Sequence, residues 1–353
     1  MSLFQIKLIK EIILLALPIS LFNLMTVFIG IANGLMLVKL GSVALASGAM
    51  IGIIQISLMM ICSSPLFAIS SIISRLNAEN KTFQIGSIIQ QGSVFALLLS
   101  IPAILAMIFI KPILHLFGQP DGVVELVNLY FQAYCWGVPT AMLLTCVQQV
   151  LLGLKKTRLV TLVGAASLVV SVSFGYILAF GKMGFAPQGV SGLGYAQVLR
   201  SVIILVTLFL VLNKEFSAFG LYTKWSINKI LELKQIFKLG WPISIHAASE
   251  YLAIFGITLI IGGLGQTELI AQQIATQYMQ LLSIAMLSLS QASNLLVSGG
   301  VGKRDWESMQ NYGYQGVLLG ISISLIAILG FAVFTNVLVS PYLNISENVD
   351  LLL

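Results

Sequence analysis

The chain alternates between long apolar runs and short connections that are polar or rich in glycine and proline. Nine runs approach or exceed the length of about 20 residues that a helix needs to cross a bilayer. They lie near residues 12–37, 43–73, 85–110, 123–152, 159–181, 189–212, 236–262, 268–298 and 312–339. A membrane span must satisfy its own backbone hydrogen bonds, which a helix does within one segment. The pattern therefore predicts an all-α integral membrane protein with about nine transmembrane helices.

The apolar pattern is duplicated. Residues 17–92 align without a gap with residues 241–316, at a constant offset of 224. Matched pairs include Pro18 with Pro242, Leu40 with Leu264, and Gln91 with Gln315. Six spans per repeat return the chain to the same side of the membrane, so we predict two parallel six-helix repeats related by an axis along the membrane normal.

This repeat divides the chain into predicted lobes. Residues 1–212 form an N-lobe of six transmembrane helices, residues 213–235 form a lysine-rich cytoplasmic linker, and residues 236–353 form a partial C-lobe. The C-lobe holds three transmembrane helices plus a short stub. A complete second repeat would extend well past Leu353, so we expect the second lobe to be incomplete in this chain.

Composition supports a membrane protein, because the chain is 58% hydrophobic and only 8% charged, with a mean hydropathy of +1.01. Fourteen basic residues fall on the side of the N-terminus, three fall on the other side, and Arg200 lies within a span. Positively charged loops stay in the cytoplasm, so the N-terminus is predicted to be cytoplasmic in a multi-pass cell membrane protein. The net charge of +6 is then a signal of topology, and no nucleic-acid partner is implied.

Ionisable side chains within spans mark candidate functional sites, since charge in a membrane is costly. Glu250 lies twelve residues past Lys238, which is about 18 Å along a helix and near the bilayer midplane. His246 lies one turn earlier on the same face. A carboxylate there is suited to bind and release H⁺, or to bind Na⁺ when ionised. The alternative is a protonated glutamate that makes one interhelical hydrogen bond.

Arg200 is the second ionisable group within a span, and a structural role and a substrate role both remain open for it. Uncharged polar stripes run along two other spans. They comprise Asn23, Thr26, Gly30 and Asn33 in the first span, and Gln273, Gln277, Gln280, Ser288, Gln291 and Asn294 in the eighth. Such stripes hold helices together or line a wet cavity. We expect cavity lining, with Asn33, Thr26, Gln277, Gln280 and Arg200 around the substrate.

Enzyme chemistry is not indicated. The chain has no HExxH motif, no phosphate-binding Walker loop and no paired acids within a span. Its three cysteines lie in apolar runs without metal or redox spacing. We expect no cofactor and no metal, apart from H⁺ or Na⁺ as a coupling ion at Glu250.

Several short segments resemble the multidrug and toxic compound extrusion (MATE) family along nearly the whole chain. They include residues 15–19, 40–46, 148–158, 184–194, 239–243 and 271–275. The resemblance implies cation-coupled antiport of small amphipathic, often cationic compounds by two lobes that rock against each other. Family members use a carboxylate in the seventh helix for the coupling ion, which Glu250 matches, and a glutamine in the eighth helix, which Gln273 matches.

The chain departs from the family pattern in its first lobe. Asn33 aligns with an acid of the first helix, and Ser171 and Gly175 align with an Asn and an Asp of the fifth helix. The expected partners are small-molecule substrates and lipid. The protein is expected to be a monomer if complete, with a partner chain as an option because the C-lobe is partial. Two alternatives are a lipid-linked oligosaccharide flippase of related fold and a non-functional remnant of a transporter.

Overall fold

Helices occupy the described parts of the predicted spans. The computed structural model describes residues 6–219, 230–262 and 266–349. Within these ranges it gives the backbone alone for residues 214–215, 230–232, 255, 258–259, 262, 266–277, 332 and 334–349. No strand occurs among the described residues, so the predicted all-α fold is confirmed.

Twelve α-helices make up the described chain. They are α1 (Ile6–Leu40), α2 (Ser42–Ser63), α3 (Ala68–Ala78), α4 (Thr82–Ile108), α5 (Ile110–Leu116), α6 (Asp121–Tyr134), α7 (Val138–Gly153), α8 (Thr157–Phe180), α9 (Val190–Ala218), α10 (Ile230–Gly262), α11 (Gln266–Lys303) and α12 (Trp306–Val349). Among the described residues, eight segments are long and apolar enough to cross a membrane. The other predicted span, near 236–262, coincides with α10, which is not one of those eight.

Two of the spans are interrupted by a short 3₁₀ turn. Residues Ser64–Phe67 separate α2 from α3, and Cys135–Gly137 separate α6 from α7. Pro65 lies in the first turn, and Pro139 is the second residue of the helix that follows the second turn. Proline removes a backbone N–H and clashes with the preceding turn, which accounts for both interruptions. Each interrupted pair still spans the bundle as one unit.

The internal repeat is visible in the helix boundaries. α4 begins at Thr82 and α12 begins at Trp306, and these two positions differ by the offset of 224 seen in the sequence. One difference is local, because α11 continues without a break where Pro65 interrupts the first repeat. The position equivalent to Pro65 is Leu289, which keeps its backbone N–H.

Apolar side chains cover the outside of the bundle as well as its core. The core includes Ile12, Phe131 and Met142, each fully buried. Large apolar side chains such as Leu14 and Leu35 on α1 are more than half exposed. An apolar exterior is unfavourable in water and favourable in lipid, so the exposed apolar residues mark the surface that faces acyl chains.

The ends of the helices differ from the prediction at two places. α9 continues to Ala218 and α10 begins at Ile230, so helices extend into both ends of the predicted linker at 213–235. The centre of that linker, residues 220–229, lies outside the described residues, and the division into lobes stays a prediction. α12 continues to Val349 through Pro341, although we expected the span to end near residue 339.

Candidate functional site

One end of the bundle collects most of the basic residues of the described loops, and we call it the basic end. It holds the start of α1 and the connections 79–81, 154–156 and 304–305. Glu79 pairs there with Arg75 at 2.8 Å and with Lys81 at 2.6 Å. The hydrogen bonds from Lys81 and Arg75 hold the pKa of Glu79 below its ordinary value. The charge distribution along the sequence predicts that this end faces the cytoplasm.

The two repeats pack together at the basic end through α3 and α11. Ser74 donates a hydrogen bond to the carbonyl oxygen of Leu295 at 2.7 Å, and Asn294 donates to the hydroxyl of Ser71 at 2.8 Å. Ser71 and Leu295 are equivalent positions of the repeat. We call this α3–α11 contact the seam. It has the pairing expected near a two-fold axis that relates the repeats.

A second set of contacts joins the repeats at mid-depth. Asn23 on α1 donates to Ser288 on α11 at 3.1 Å, and Ser64 donates to Ser244 on α10 at 3.1 Å. Ser64 and Ser288 are again equivalent positions of the repeat. The polar stripes therefore hold helices together at Asn23, Ser288 and Asn294, whereas we expected them to line a cavity.

Glycine allows the closest approach between the repeats. A Cβ atom at Gly240 on α10 would lie 2.4 Å from the carbonyl oxygen of Pro65. A Cβ atom at Gly302 on α11 would lie 2.4 Å from the carbonyl oxygen of Arg75 and 2.9 Å from Cβ of Ala78. Gly302 is the repeat equivalent of Ala78, so the axis passes close to this pair. The repeats are in backbone contact at both places.

Glu250 lies on α10 with an exposed side chain, and His246 lies one turn earlier, also exposed. Neither side chain makes a hydrogen bond or ion pair with another described side chain. Thr26 occupies the repeat position of Glu250 on α1, where it is exposed and its hydroxyl donates to the carbonyl oxygen of Phe22 at 3.3 Å. The two repeats therefore differ at this position in their capacity to carry a proton or bind a cation.

The other predicted site residues fall into three groups. The side chains of Gln273 and Gln277 lie outside the described residues. Gln280 on α11 is exposed, and Asn33 on α1 is half-buried. Arg200 on α9 is half-buried inside the first repeat, so the structure does not bring it together with Glu250 in one described contact.

A family model described as MatE matches residues 18–177 and 242–351. The two matched segments begin at positions separated by the repeat offset, and together they cover more than half of the chain. The chain belongs to the MATE family. It is a multi-pass membrane transporter and not an enzyme, as the sequence predicts.

Relatives match the MATE chain over most of its length. A probable multidrug resistance protein NorM from Synechocystis is 25% identical over 340 residues, covering 96% of this chain and 74% of the relative. A probable NorM from Xanthomonas axonopodis is 28% identical over 312 residues, covering 87% and 68% respectively. A crystal structure titled MATE in the bent conformation superposes with a TM-score of 0.83 at 17% identity, covering 97% of this chain and 77% of that one.

A polar cluster around Arg200 in this MATE chain was missed from sequence. Arg200 Nε donates to Oε1 of Gln197 at 2.8 Å, and Nε2 of Gln197 donates to the hydroxyl of Ser171 on α8 at 3.2 Å. The hydroxyl of Tyr130 on α6 donates to Oε1 of Gln55 on α2 at 2.8 Å. These residues come from four helices, so only their packing shows that they are neighbours. The isolated arginine in a span was the one signal available in the sequence.

Proposed function

We propose that this chain is a cation-coupled antiporter that exports small amphipathic organic compounds, with Glu250 as the coupling carboxylate. Family membership supports transport, and the names of the relatives, which are probable multidrug resistance proteins, support the substrate class. Glu250 carries the proposal because it is an acid on a membrane helix with no described counter-charge. Its exposure leaves the carboxylate accessible to a coupling ion.

The contacts between the repeats support alternating access as the mechanism. The described hydrogen bonds that join them lie between mid-depth and the basic end. We take the basic end as cytoplasmic and this arrangement as the state closed on that side. Seam bonds are few and mostly neutral, so opening them costs little compared with disrupting a packed lobe. Binding or release of a cation at Glu250 would then bias which side is open.

Glu250 and His246 share one face of α10, while Thr26 takes the place of the acid in the first repeat. Coupling is therefore assigned to the second repeat, with H⁺ or Na⁺ as the ion. Gln273 is proposed to assist at the same site. Asn33, Thr26, Gln277 and Gln280 are proposed to line the substrate path, because amide and hydroxyl groups can solvate a polar compound within the membrane.

Transport of ethidium into proteoliposomes tests the proposal. A pH step and a Na⁺ step are applied separately to the unmodified protein, to Glu250→Gln and to Glu250→Asp. We expect one of the two gradients to drive ethidium movement, Glu250→Gln to abolish the driven component, and Glu250→Asp to retain part of it. Glu125→Gln is the matched control, because Glu125 pairs with Lys111 at the opposite end of the bundle at 2.8 Å. Driven flux that persists in Glu250→Gln would refute the coupling role.

A further inference from the structure

A pocket of about 160 Å³ lies at the basic end, between the first repeat and α10. Polar side chains line it from three places, with Arg75 in the last turn of α3, Lys81 in the connection to α4, and Gln235 on α10. The apolar part of its wall consists of Ile72, Leu76 and Ile88. A basic pocket between helices at the membrane surface is suited to a ligand that is partly charged and partly apolar.

The described side chains that line the pocket carry a net positive charge. Arg75 and Lys81 are two cations and Glu79, which pairs with both, is one anion, so the sum is +1. Arg75 and Lys81 are 53% and 51% exposed, and their described ion pairs use Nε of Arg75 and Nζ of Lys81. Because an arginine has five N–H donors and a lysine three, both keep donors for a phosphate oxygen. The amides of Gln84 and Gln235 add donors without charge.

A direct contact occupies the equivalent place in the other half of the repeat. Tyr312 on α12 donates a hydrogen bond there to Glu11 on α1. At the offset of 224, Tyr312 corresponds to Ile88 and Glu11 corresponds to Gln235, and both of these residues line the pocket. Isoleucine has no hydroxyl, so the pair cannot form the same bond. The pocket is therefore a difference between the repeats, and the change from Glu11 to Gln235 keeps a negative charge out of it.

An aromatic surface continues from the pocket along α10 towards the membrane interior. Trp241 lies six residues after Gln235, about 9 Å along the helix, and is 53% exposed. Its ring stacks on Phe237 with centroids 5.6 Å apart, and the ring of Phe237 meets Phe95 of α4 edge-on at 6.2 Å. Aromatic side chains near a membrane surface sit between headgroups and acyl chains. A ligand with a phosphate headgroup and acyl chains matches both the pocket and this surface.

We propose that the pocket binds the headgroup of an anionic phospholipid. Arg75 and Lys81 bind the phosphate oxygens, and the acyl chains lie against Phe237 and Trp241. The lipid contacts α3, α4 and α10 together, and so touches both repeats. The net positive charge selects an anionic headgroup over phosphatidylcholine, whose phosphate is already compensated by its own ammonium group. This binding does not depend on the proposed export function.

Quenching of Trp241 fluorescence by brominated lipids tests the proposal. Trp136, Trp225 and Trp306 are changed to Phe, and the protein is reconstituted with brominated phosphatidylglycerol or brominated phosphatidylcholine diluted in unlabelled phosphatidylcholine. We expect phosphatidylglycerol to bind beside Trp241 about fivefold more tightly than phosphatidylcholine, because one net charge at a membrane surface contributes about that factor. A protein that keeps Trp136 as its single tryptophan, 76% exposed between α6 and α7, should show no preference.

Charge variants show whether the pocket itself causes the preference. Arg75→Gln combined with Lys81→Gln should abolish it, and both side chains are half-exposed, so the fold should tolerate the changes. Lys10→Gln combined with Arg158→Gln is the matched control, because these exposed residues lie at the same end and the same charge is removed. The control should keep the fivefold preference. Gln235→Glu, which introduces the acid of the other half, should reduce the preference.

Equal quenching of Trp241 by the two lipids in the parent protein would overturn the proposal. A preference that survives Arg75→Gln with Lys81→Gln, or one that the control pair loses to the same extent, would overturn it as well. Millimolar glycerol 1-phosphate at constant ionic strength should leave the quenching unchanged, since it lacks acyl chains. Relief of quenching would assign the pocket to a soluble phosphate compound. Glu250→Gln should keep the lipid preference, so this result and the proposed coupling role fail separately.

Discussion

Gly302→Ala is expected to weaken the seam between the two repeats. The new Cβ atom would lie 2.4 Å from the carbonyl oxygen of Arg75, where ordinary contact begins at 3.4 Å. It would also lie 2.9 Å from Cβ of Ala78. Both neighbours belong to the backbone or are fixed to it, so no side-chain rotation can relieve the clash. α3 and α11 would have to separate by about 1 Å at this point.

The free-energy cost of that separation determines how strongly the equilibrium between the closed and the open seam shifts towards the open state. Adding a methyl group to tight packing costs about 1–3 kcal/mol. Because the clash exists only when the seam is closed, the whole cost favours the open arrangement. A difference of 1–3 kcal/mol shifts a two-state equilibrium by about 5- to 150-fold. Alanine also stabilises a helix by about 0.5–1 kcal/mol relative to glycine, and this gain applies to both arrangements.

Labelling of a cysteine in the seam measures its opening. Ser74→Cys is placed in a background in which the three native cysteines are changed to alanine, because Ser74 is buried in the seam. A membrane-impermeant maleimide should label this cysteine faster in Gly302→Ala than in the parent. Gly320→Ala on α12 is the control, since a Cβ atom there meets no atom within 4 Å. Equal labelling rates in all three proteins would refute the reasoning about the seam.

Three further outcomes follow from the contacts. A double-mutant cycle of Asn23→Ala and Ser288→Ala, followed by reversible unfolding in lipid, should give a coupling energy of about 0.6 kcal/mol, as for other hydrogen bonds between membrane helices. Glu79→Gln should lower Tm near pH 7, but the difference should vanish as the pH falls through the lowered pKa of Glu79, where its ion pairs are lost. Gly181→Ala should lower Tm at any pH, because Gly181 has φ 65° and a Cβ atom there would lie 2.6 Å from the nitrogen of Pro187.

The spans and the repeat were predictable because both depend on properties that are local or additive. A run of about 20 apolar residues favours the bilayer whatever surrounds it. The constant offset of 224 survives in the helix starts at Thr82 and Trp306. The one sequence difference that changes a helix locally is Pro65, which interrupts the second span where its repeat equivalent Leu289 leaves α11 continuous, whereas Pro18, Pro102 and Pro242 lie inside unbroken helices.

The roles of the polar residues were less predictable. The polar stripes of the first and eighth spans each combine residues that form hydrogen bonds to another helix with residues that stay exposed. Asn23 bonds to Ser288, whereas Thr26 on the same stripe bonds only to its own helix. The choice depends on which neighbour lies opposite, and that is set by the packing of the two repeats. The same limit applies to Glu250, whose depth follows from the sequence while its surroundings do not.

The sequence by itself determined that the protein lies in a lipid bilayer, that it is helical and duplicated, and that isolated charges lie within its spans. These follow from transfer free energies and periodicity, which need no knowledge of neighbours. Only the tertiary structure decided that Ser74 and Gly302 form the contact between repeats and that Gln197, Ser171 and two tyrosines surround Arg200. These residues are far apart in sequence, and hydrogen bonds and close contacts act over a few ångströms, so only the folded arrangement of helices brings them together.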